Sequence, residues 1–389
     1  MRVLVLSEFY PHEKNPHEGI FVREQLAHLA NHADLRVLAP AMRYLPFSRY
    51  KILREQQPHA GYFSDVVCPV ARFPVWNPPV IADVVAPAMH RRGSQAALDR
   101  WQFTPDLIHA FWAYRSGYVA ARLQEKYRCP LVITVEGSDI HSWLNEPRKR
   151  PKILHSLHRA DALIAVSRAL IDRMIDAGVA VTKMHHIPNG VNLQNFSYQP
   201  TTLRAQLQNR LRSVSLFLCV ANFFPVKGHD VLIRALALLP KEAGALILIG
   251  DGPERSSIEN LVQGLQLTSR VFFAGKKPHE EIAEWMSAAD ALVIPSRNEG
   301  WPAVIFEAMA CGLQVAGTAV GGIPEALNAA DDLLAPPEDP AALAAVMLRA
   351  IQRQPDKIKL RQRAEAFSWE RLSEQVLQVY RSALGDQER

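Results

Sequence analysis

The stretch PSRNEGWPAVIFEAMACG sets two carboxylates, Glu299 and Glu307, eight residues apart around what reads as a helix start. Before it, ADALVIP (289–295) is an apolar strand pattern that ends in Pro-Ser and a polar loop closing at Gly300. Pro302 suits a first helical turn, where an N–H has no intrahelical use. A helix opening there leaves the N–H groups of Ala303 and Val304 free, and the positive end of the dipole adds to their pull on an anion. A diphosphate is the natural occupant. An ionised carboxylate only accepts hydrogen bonds, so two of them fit beside a diphosphate if they take hydroxyl protons on either side of it, one from a transferred sugar and one from a ribose. Eight residues of ideal helix turn through about 800°, roughly 80° past two turns, so the two cannot share a helix face. Glu299 is therefore placed on the loop and Glu307 on the second turn, leaning back toward the N-terminus. Alone, such a pair most often reads as a helix-start charge preference and a solvated side chain. The glycines that follow (Gly312, Gly317, Gly321, Gly322) argue for a built site.

Further residues extend this chemistry. VANFFPVKGHD (220–230) puts Lys227 and Gly228 between a strand and a helix, and a lysine is a compact charge for a diphosphate. IGDGPER (249–255) holds Gly250 and Gly252 but has Arg255 where a dinucleotide fingerprint needs its third glycine, which argues against a dehydrogenase. TVEGSDI (134–140) ends a strand with Glu136 and Asp139, and Gly19 stands where a long loop enters a helix. Glycine there would let backbone approach a phosphate. The Asn-Gly turn in IPNGVN (187–192) reads as structural.

These residues resemble the retaining glycosyltransferases of family 4, which have the GT-B fold. Glu299 to Glu307 matches that family's E-x7-E motif in an EGxxxxxxEAMACG context, and the resemblance runs from the N-terminal glycine loop to FSWERLSEQVLQVY. It implies an α/β chain of two Rossmann-like, doubly wound domains facing each other across a cleft. It also implies a nucleotide diphosphate sugar donor, mostly on the C-terminal domain, with Gly19, Gly250 and Glu307 among its contacts. Glu299 would hold the sugar hydroxyls, helped by the Gly300 and Trp301 amides, and Glu307 the ribose. The leaving diphosphate would be held by Lys227 and the amides at Ala303 and Val304, with no metal. Relatives usually have an arginine where this chain has Asn222, a charge-assisted contact worth about 1.5 to 3 kcal/mol; Arg297, Lys276 and Lys277 are the replacements within reach in sequence. Relatives commonly have histidine, and some arginine, at Glu136, near the reacting sugar. Glu136 and Asp139 join Glu299 and Lys227 as the expected catalytic set.

Length and pattern place these sites. At 389 residues the chain exceeds one typical core. Apolar strand patterns alternate with helical ones, as in βαβ units. Strands are expected at 2–7, 35–40, 107–110, 131–135, 162–166, 183–188, 215–220, 245–250, 271–274 and 291–295, and helices at 21–31, 117–127, 168–177 and 229–239. The segment 195–213 is polar and aperiodic and reads as the linker. The domains are thus expected at 1–200 for the acceptor and 201–370 for the nucleotide sugar, with 371–389 a helix crossing back to the first.

Composition narrows the partners. Four scattered cysteines form no CxxC pair, so they read as buried thiols rather than a zinc or redox site. No run of 18 apolar residues and no signal-like start is present, which leads to the expectation of a cytoplasmic protein. The net charge of +5 and two basic groups suggest a peripheral contact with an anionic membrane. The groups are Arg43, Arg49, Lys51 and Arg54, interleaved with Tyr44, Phe47 and Tyr50, and the group Arg148, Lys149, Arg150 and Lys152. No nucleic-acid module is visible. The expected activity is transfer of a hexosyl unit from a UDP- or GDP-linked donor to a hydroxyl of a glycan or lipid-linked saccharide, in cell-envelope polysaccharide synthesis. The rivals are a noncatalytic nucleotide-sugar-binding relative and a nucleotide-sugar epimerase of the same fold.

Overall fold

The computed structural model describes residues 1–44, 57–78, 81–328 and 333–385. The chain divides into two compact units, Met1–Asn189 with Trp369–Arg389, and Gly190–Ser368.

The first unit runs β1 (Arg2–Ser7), α1 (Ile20–Leu29), β2 (Asp34–Leu38), β3 (Ala41–Arg43), β4 (Gly61–Ser64), β5 (Pro69–Arg72), β6 (Pro74–Trp76), α2 (Ala82–Trp101), β7 (Leu107–Phe111), α3 (Ser116–Tyr127), β8 (Leu131–Val135), α4 (Arg150–Arg159), β9 (Ala162–Ala165), α5 (Arg168–Asp176) and β10 (Met184–His186). Its main sheet has the order β10-β9-β8-β7-β1-β2-β5-β4. Every pair in it is parallel except β4 with β5. β1, β7, β8 and β9 are almost continuous runs of buried residues, as strands covered on both faces must be. The β2-side additions, β3 with β6 and β4 with β5, are short pairings that the strand pattern in the sequence does not reveal.

The second unit runs α6 (Leu203–Leu211), β11 (Leu216–Val220), α7 (His229–Leu238), β12 (Ala245–Ile249), α8 (Arg255–Gly264), β13 (Val271–Gly275), α9 (Ile282–Ala288), β14 (Ala291–Ile294), α10 (Ala303–Ala310), β15 (Gln314–Thr318), α11 (Ile323–Leu327), β16 (Leu334–Ala335), α12 (Pro340–Gln352) and α13 (Lys357–Glu365). Its sheet is wholly parallel, in the order β13-β12-β11-β14-β15-β16. The chain winds outward from β11 through β12 to β13, then returns to β14 on the other side of β11. The switch of direction therefore falls between β11 and β14, where α/β sheets open a crevice at their carboxyl ends. Phe217, Leu232, Leu246, Val293 and Met347 belong to one buried core built from this sheet and its flanking helices.

Two expectations change. The segment 195–213 is not an aperiodic linker, because it contains α6, whose Arg204 bonds the Ala288 carbonyl and the Asp290 carboxylate at 2.9 and 2.8 Å. Its apolar contacts are few, so the helix carries no strong period in the sequence. Pro302 is the N-cap of α10 rather than a residue of its first turn.

The closing helix α14 (Trp369–Leu384) belongs to the first unit. Trp369 donates its indole N–H to Glu24 at 2.7 Å. Deeper, His109 on β7 bridges the Tyr380 hydroxyl at 2.6 Å and the Thr134 hydroxyl at 2.7 Å, all three buried. Burial pushes the His109 pKa down to about 3, so the ring is neutral and one nitrogen donates while the other accepts. Tyr380→Phe should leave that nitrogen unpaired and cost the first unit about 1 to 3 kcal/mol in denaturant unfolding; an unchanged midpoint would contradict the clamp.

Candidate active site

The loop after β14 carries Glu299, and the turn after β11 carries Lys227, so the two side chains come from opposite sides of the switch point. They meet: Lys227 Nζ donates to Glu299 Oε1 at 2.6 Å, and Ser296 Oγ donates to the same oxygen at 2.7 Å. Among the described residues, Glu299 Oε2 has no donor from the protein, which leaves it to accept from a ligand hydroxyl. Close backbone packing sets this geometry. Gly228, at φ +65°, lies against Pro295, and a Cβ there would sit 2.1 Å from the Pro295 carbonyl oxygen. Gly321 lies under Glu299 itself, where a Cβ would come within 1.8 Å of the Glu299 carbonyl oxygen.

Asn222, Lys227, Glu299, Trp301, Ala303 and Val304 line one cavity of 260 Å³ at the carboxyl ends of β11 and β14. This is slightly below the ~300–1,000 Å³ of small-molecule sites, so it suits the diphosphate and sugar end of a donor rather than all of it. Helix α10 begins at Ala303, and the N–H groups of Ala303 and Val304 precede its first backbone acceptor pair, Ile305 N–H to Pro302 O at 3.0 Å. The Trp301 ring is buried, stacked on Phe306 at 5.2 Å, which pins the loop onto the helix it feeds. A cavity of 470 Å³ lies at the amino ends of β14 and β15, lined by Arg204, Asp290, Gly312 and Lys357 among others, and holds none of the expected catalytic or donor contacts.

The other expected donor contacts lie elsewhere in the second unit. Glu307, on the second turn of α10, meets His279 Nε2 at 3.1 Å, and the His279 ring packs edge-on to Phe196. It does not line the Lys227 cavity. Arg297 does not replace the arginine missing at Asn222. Its guanidinium forms two 2.9 Å bonds to Asp230, a contact to Glu338 and a bond to the Pro225 carbonyl, and these carboxylates hold its pKa above the usual arginine value. Lys277 lays its ammonium 5.0 Å from the Trp285 ring centroid. Gly250 is explained by crowding, since a Cβ there would lie 2.0 Å from the Ala221 carbonyl oxygen.

In the first unit, Gly19 caps α1 at φ +63°, packed on the Phe9 carbonyl. Asp139 is fully buried and accepts the N–H groups of Ala113, Gly137 and Glu136 at 2.9, 3.0 and 3.3 Å. The expectation of a catalytic Asp139 therefore gives way to a positioning one: both oxygens are occupied by backbone. Glu136 differs, because one oxygen accepts from Asn189 Nδ2 at 2.8 Å while Oε1 is buried without a partner among the described residues. Burial, opposed by the Asn189 bond and reinforced by the Asp139 charge, raises its pKa to about 8. All four cysteines are buried free thiols. Of the first basic group only Arg43 and Tyr44 are described; residues 45–56 lie outside the described residues. In the second group Lys149 pairs with Glu146 at 2.8 Å. Among the described residues no three His, Cys, Asp or Glu side chains gather as a metal site, and no helix is long and apolar enough to cross a membrane.

A family model described as "Glycosyl transferases group 1" matches residues 206–367, and one described as "Glycosyltransferase Family 4" matches residues 19–195. An uncharacterized glycosyltransferase of Methanocaldococcus jannaschii is 32% identical over 280 residues, covering 71% of this chain and 75% of that protein. The chain belongs to glycosyltransferase family 4. A putative teichuronic acid biosynthesis glycosyltransferase of Bacillus subtilis is 28% identical over 90% of this chain and 89% of its own. The fold is GT-B: sucrose-phosphate synthase from Thermosynechococcus elongatus superposes over 100% of both chains with a TM-score of 0.80 at 25% identity. Anabaena HepE, solved in complex with UDP, covers 98% of this chain and 100% of its own, with a TM-score of 0.72 at 22% identity.

For this family 4 glycosyltransferase, sequence reasoning missed two groups. His279 follows Pro278 as the first residue of a short 3-10 turn, His279–Glu281, and has no motif around it; the signal was an E-x7-E glutamate that needed a partner. Asp230, directly after Lys227-Gly228-His229, claims Arg297 from 67 residues away, and nothing in the sequence links the two. Glu136 also makes a testable contribution to stability. Below pH 4.5, its ordinary value, the carboxyl is neutral folded and unfolded. Between there and about 8 only the unfolded chain ionises it, so stability falls as pH rises, by up to about 1.4 kcal/mol per unit. Glu136→Gln should flatten that slope in denaturant titrations at several pH values; the same slope in the variant would contradict the buried, neutral carboxyl.

Proposed function

We propose that this glycosyltransferase is a retaining hexosyltransferase, moving a hexose from a UDP- or GDP-linked donor to a hydroxyl of a glycan or lipid-linked saccharide in cell-envelope polysaccharide synthesis. The observation that carries the reading is the Lys227–Glu299 pair at the mouth of α10, a cation, an acceptor and a helix N-terminus in one cavity. The gross attraction within that pair is about 6 kcal/mol at an effective dielectric near 20. A diphosphate carries more than one negative charge, so it competes with a single carboxylate for the ammonium and draws Lys227 onto the leaving group.

Glu299 then accepts from the sugar hydroxyls with its open oxygen. The acceptor oxygen bonds to the anomeric carbon as the bond from that carbon to the phosphate oxygen breaks. The electron pair goes to the phosphate, which takes the acceptor's proton on the same face, so configuration is retained. Lys227 and the Ala303 and Val304 amides stabilise the charge that grows on the diphosphate, and a metal has no task to perform in this scheme. Glu307, oriented by His279, accepts from the ribose. The name of the Bacillus subtilis relative supports the polysaccharide context.

Glu299→Ala should lower kcat by about 100-fold or more while leaving the nucleotide Kd within about two-fold. Glu307→Ala should raise the nucleotide Kd about ten-fold. Proton NMR of the product should show the donor's anomeric configuration. Equal, small effects of the two substitutions, or an inverted product, would overturn the assignment.

A further inference from the structure

The 470 Å³ cavity at the amino ends of β14 and β15 lies wholly within the second unit and falls in the ~300–1,000 Å³ range of small-molecule sites. The donor cavity opens at the opposite end of β14, and among the described residues the two share no lining. Three cationic side chains, Arg204, Arg353 and Lys357, line the larger cavity against one carboxylate, Asp290. That carboxylate is already engaged: one oxygen accepts from Arg204 and the other from the Leu216 N–H, each at 2.8 Å. Lys357 sets its ammonium 4.4 Å from the Tyr198 ring centroid and makes no ion pair among the described residues. Asp356, beside it, instead caps α13 by accepting the Lys359 N–H at 3.0 Å.

These groups are held by the fold itself. The Lys357 stem crosses Gly312, where a Cβ would come within 3.2 Å of its Cβ and Cγ. The segment bearing Tyr198 is pinned on both sides, by Arg361 donating to the Phe196 carbonyl at 2.6 Å and by the Gln199 N–H donating to Ser287 Oγ at 3.0 Å. Gln314, 5% exposed, opens β15 and lines the same cavity. Its amide nitrogen donates to the Ala350 carbonyl and, at 3.2 Å, to the Arg353 carbonyl, which uses both of its hydrogens. Its Oε1 receives no donor among the described residues, and a buried acceptor of this kind is completed by a ligand hydroxyl or N–H.

The lining therefore asks for two things of a ligand: negative charge for the cations and a proton for the buried amide oxygen. Inorganic phosphate fills only a fraction of the volume, and an uncharged sugar makes no use of the cations. We propose that this cavity binds a small organic phosphate, in which a phosphomonoester is carried on a hydroxyl-bearing ring, as in a sugar phosphate or a nucleoside monophosphate. The phosphate accepts from Lys357, a compact charge suited to it, with Arg353 alongside. A ligand hydroxyl donates to Gln314 Oε1, and the ring packs against Tyr198.

Calorimetric titration of the full chain with glucose 6-phosphate, uridine monophosphate, inorganic phosphate and glucose tests this. One of the two organic phosphates should bind about ten-fold or more tightly than inorganic phosphate and than glucose, and which of them does so names the source of the phosphate. Lys357→Met keeps the stem over Gly312 and removes the charge, and it should weaken that binding about ten-fold or more. Tyr198→Ala, at a second exposed position, should weaken it about three-fold or more. Lys227→Met, which alters only the donor cavity, should leave it within about two-fold. Binding that Lys227→Met removes and Lys357→Met spares would put the ligand in the donor cavity and overturn the proposal. So would inorganic phosphate binding as tightly as both organic phosphates, or no binding of either at about 10 mM.

Discussion

Backbone contact at the carboxyl ends of three strands, β11, β14 and β15, is the constraint on which the second unit's site depends. The turn after β11 presses on Pro295 through Gly228, and the turn after β15 presses on Glu299 through Gly321. Any side chain at either position would push the loops apart by more than an ångström. With hydrogen in place of Cβ, the loop bearing Glu299 is held between its neighbours, and the Gly322 N–H reaches the Glu299 carbonyl at 3.4 Å. The Lys227–Glu299 bond then forms across the switch point without a long search in side-chain space. The cavity, the helix N-terminus and the ion pair are consequences of that loop packing.

The same crowding explains how charge is distributed around the cavity. Arg297 stands two residues before Glu299, yet its fork is taken by Asp230 and Glu338, so it braces the loop from the side facing α7. Asn222 lines the cavity as a neutral group. Among the described residues Lys227 is therefore the one cationic side chain that lines the cavity, beside the amides that open α10. His229, stacked on Phe223 at 4.2 Å, is buried and pushed down to about pKa 4 by that burial and by the Lys227 charge, so it adds none.

Much of the fold was legible because parallel strands buried on both faces leave long apolar runs. β1 and β8 match the expected 2–7 and 131–135, and β11, β12 and β14 differ from theirs by one residue at an end. The division of the E-x7-E glutamates between loop and helix could be worked out from helix rotation alone. What stayed hidden depends on contacts distant in sequence. α6 has little apolar period because one flank is held by Arg204 reaching Asp290, 86 residues away. Arg297 looked available because Asp230, its partner 67 residues earlier, carries no motif of its own. Asp139 looked catalytic because a carboxylate at a strand end reads the same whether it faces a ligand or binds three backbone amides.

In the proposed scheme Lys227, without a metal, carries recognition of the donor's diphosphate. The measurement to make is a calorimetric titration of the protein with UDP and GDP in excess chelator, beside the same titration of Lys227→Met. Tight binding of one nucleotide that survives the chelator and weakens about 10- to 100-fold in the variant is the predicted result. Binding that needs a divalent cation, or that is unchanged in Lys227→Met, would contradict it.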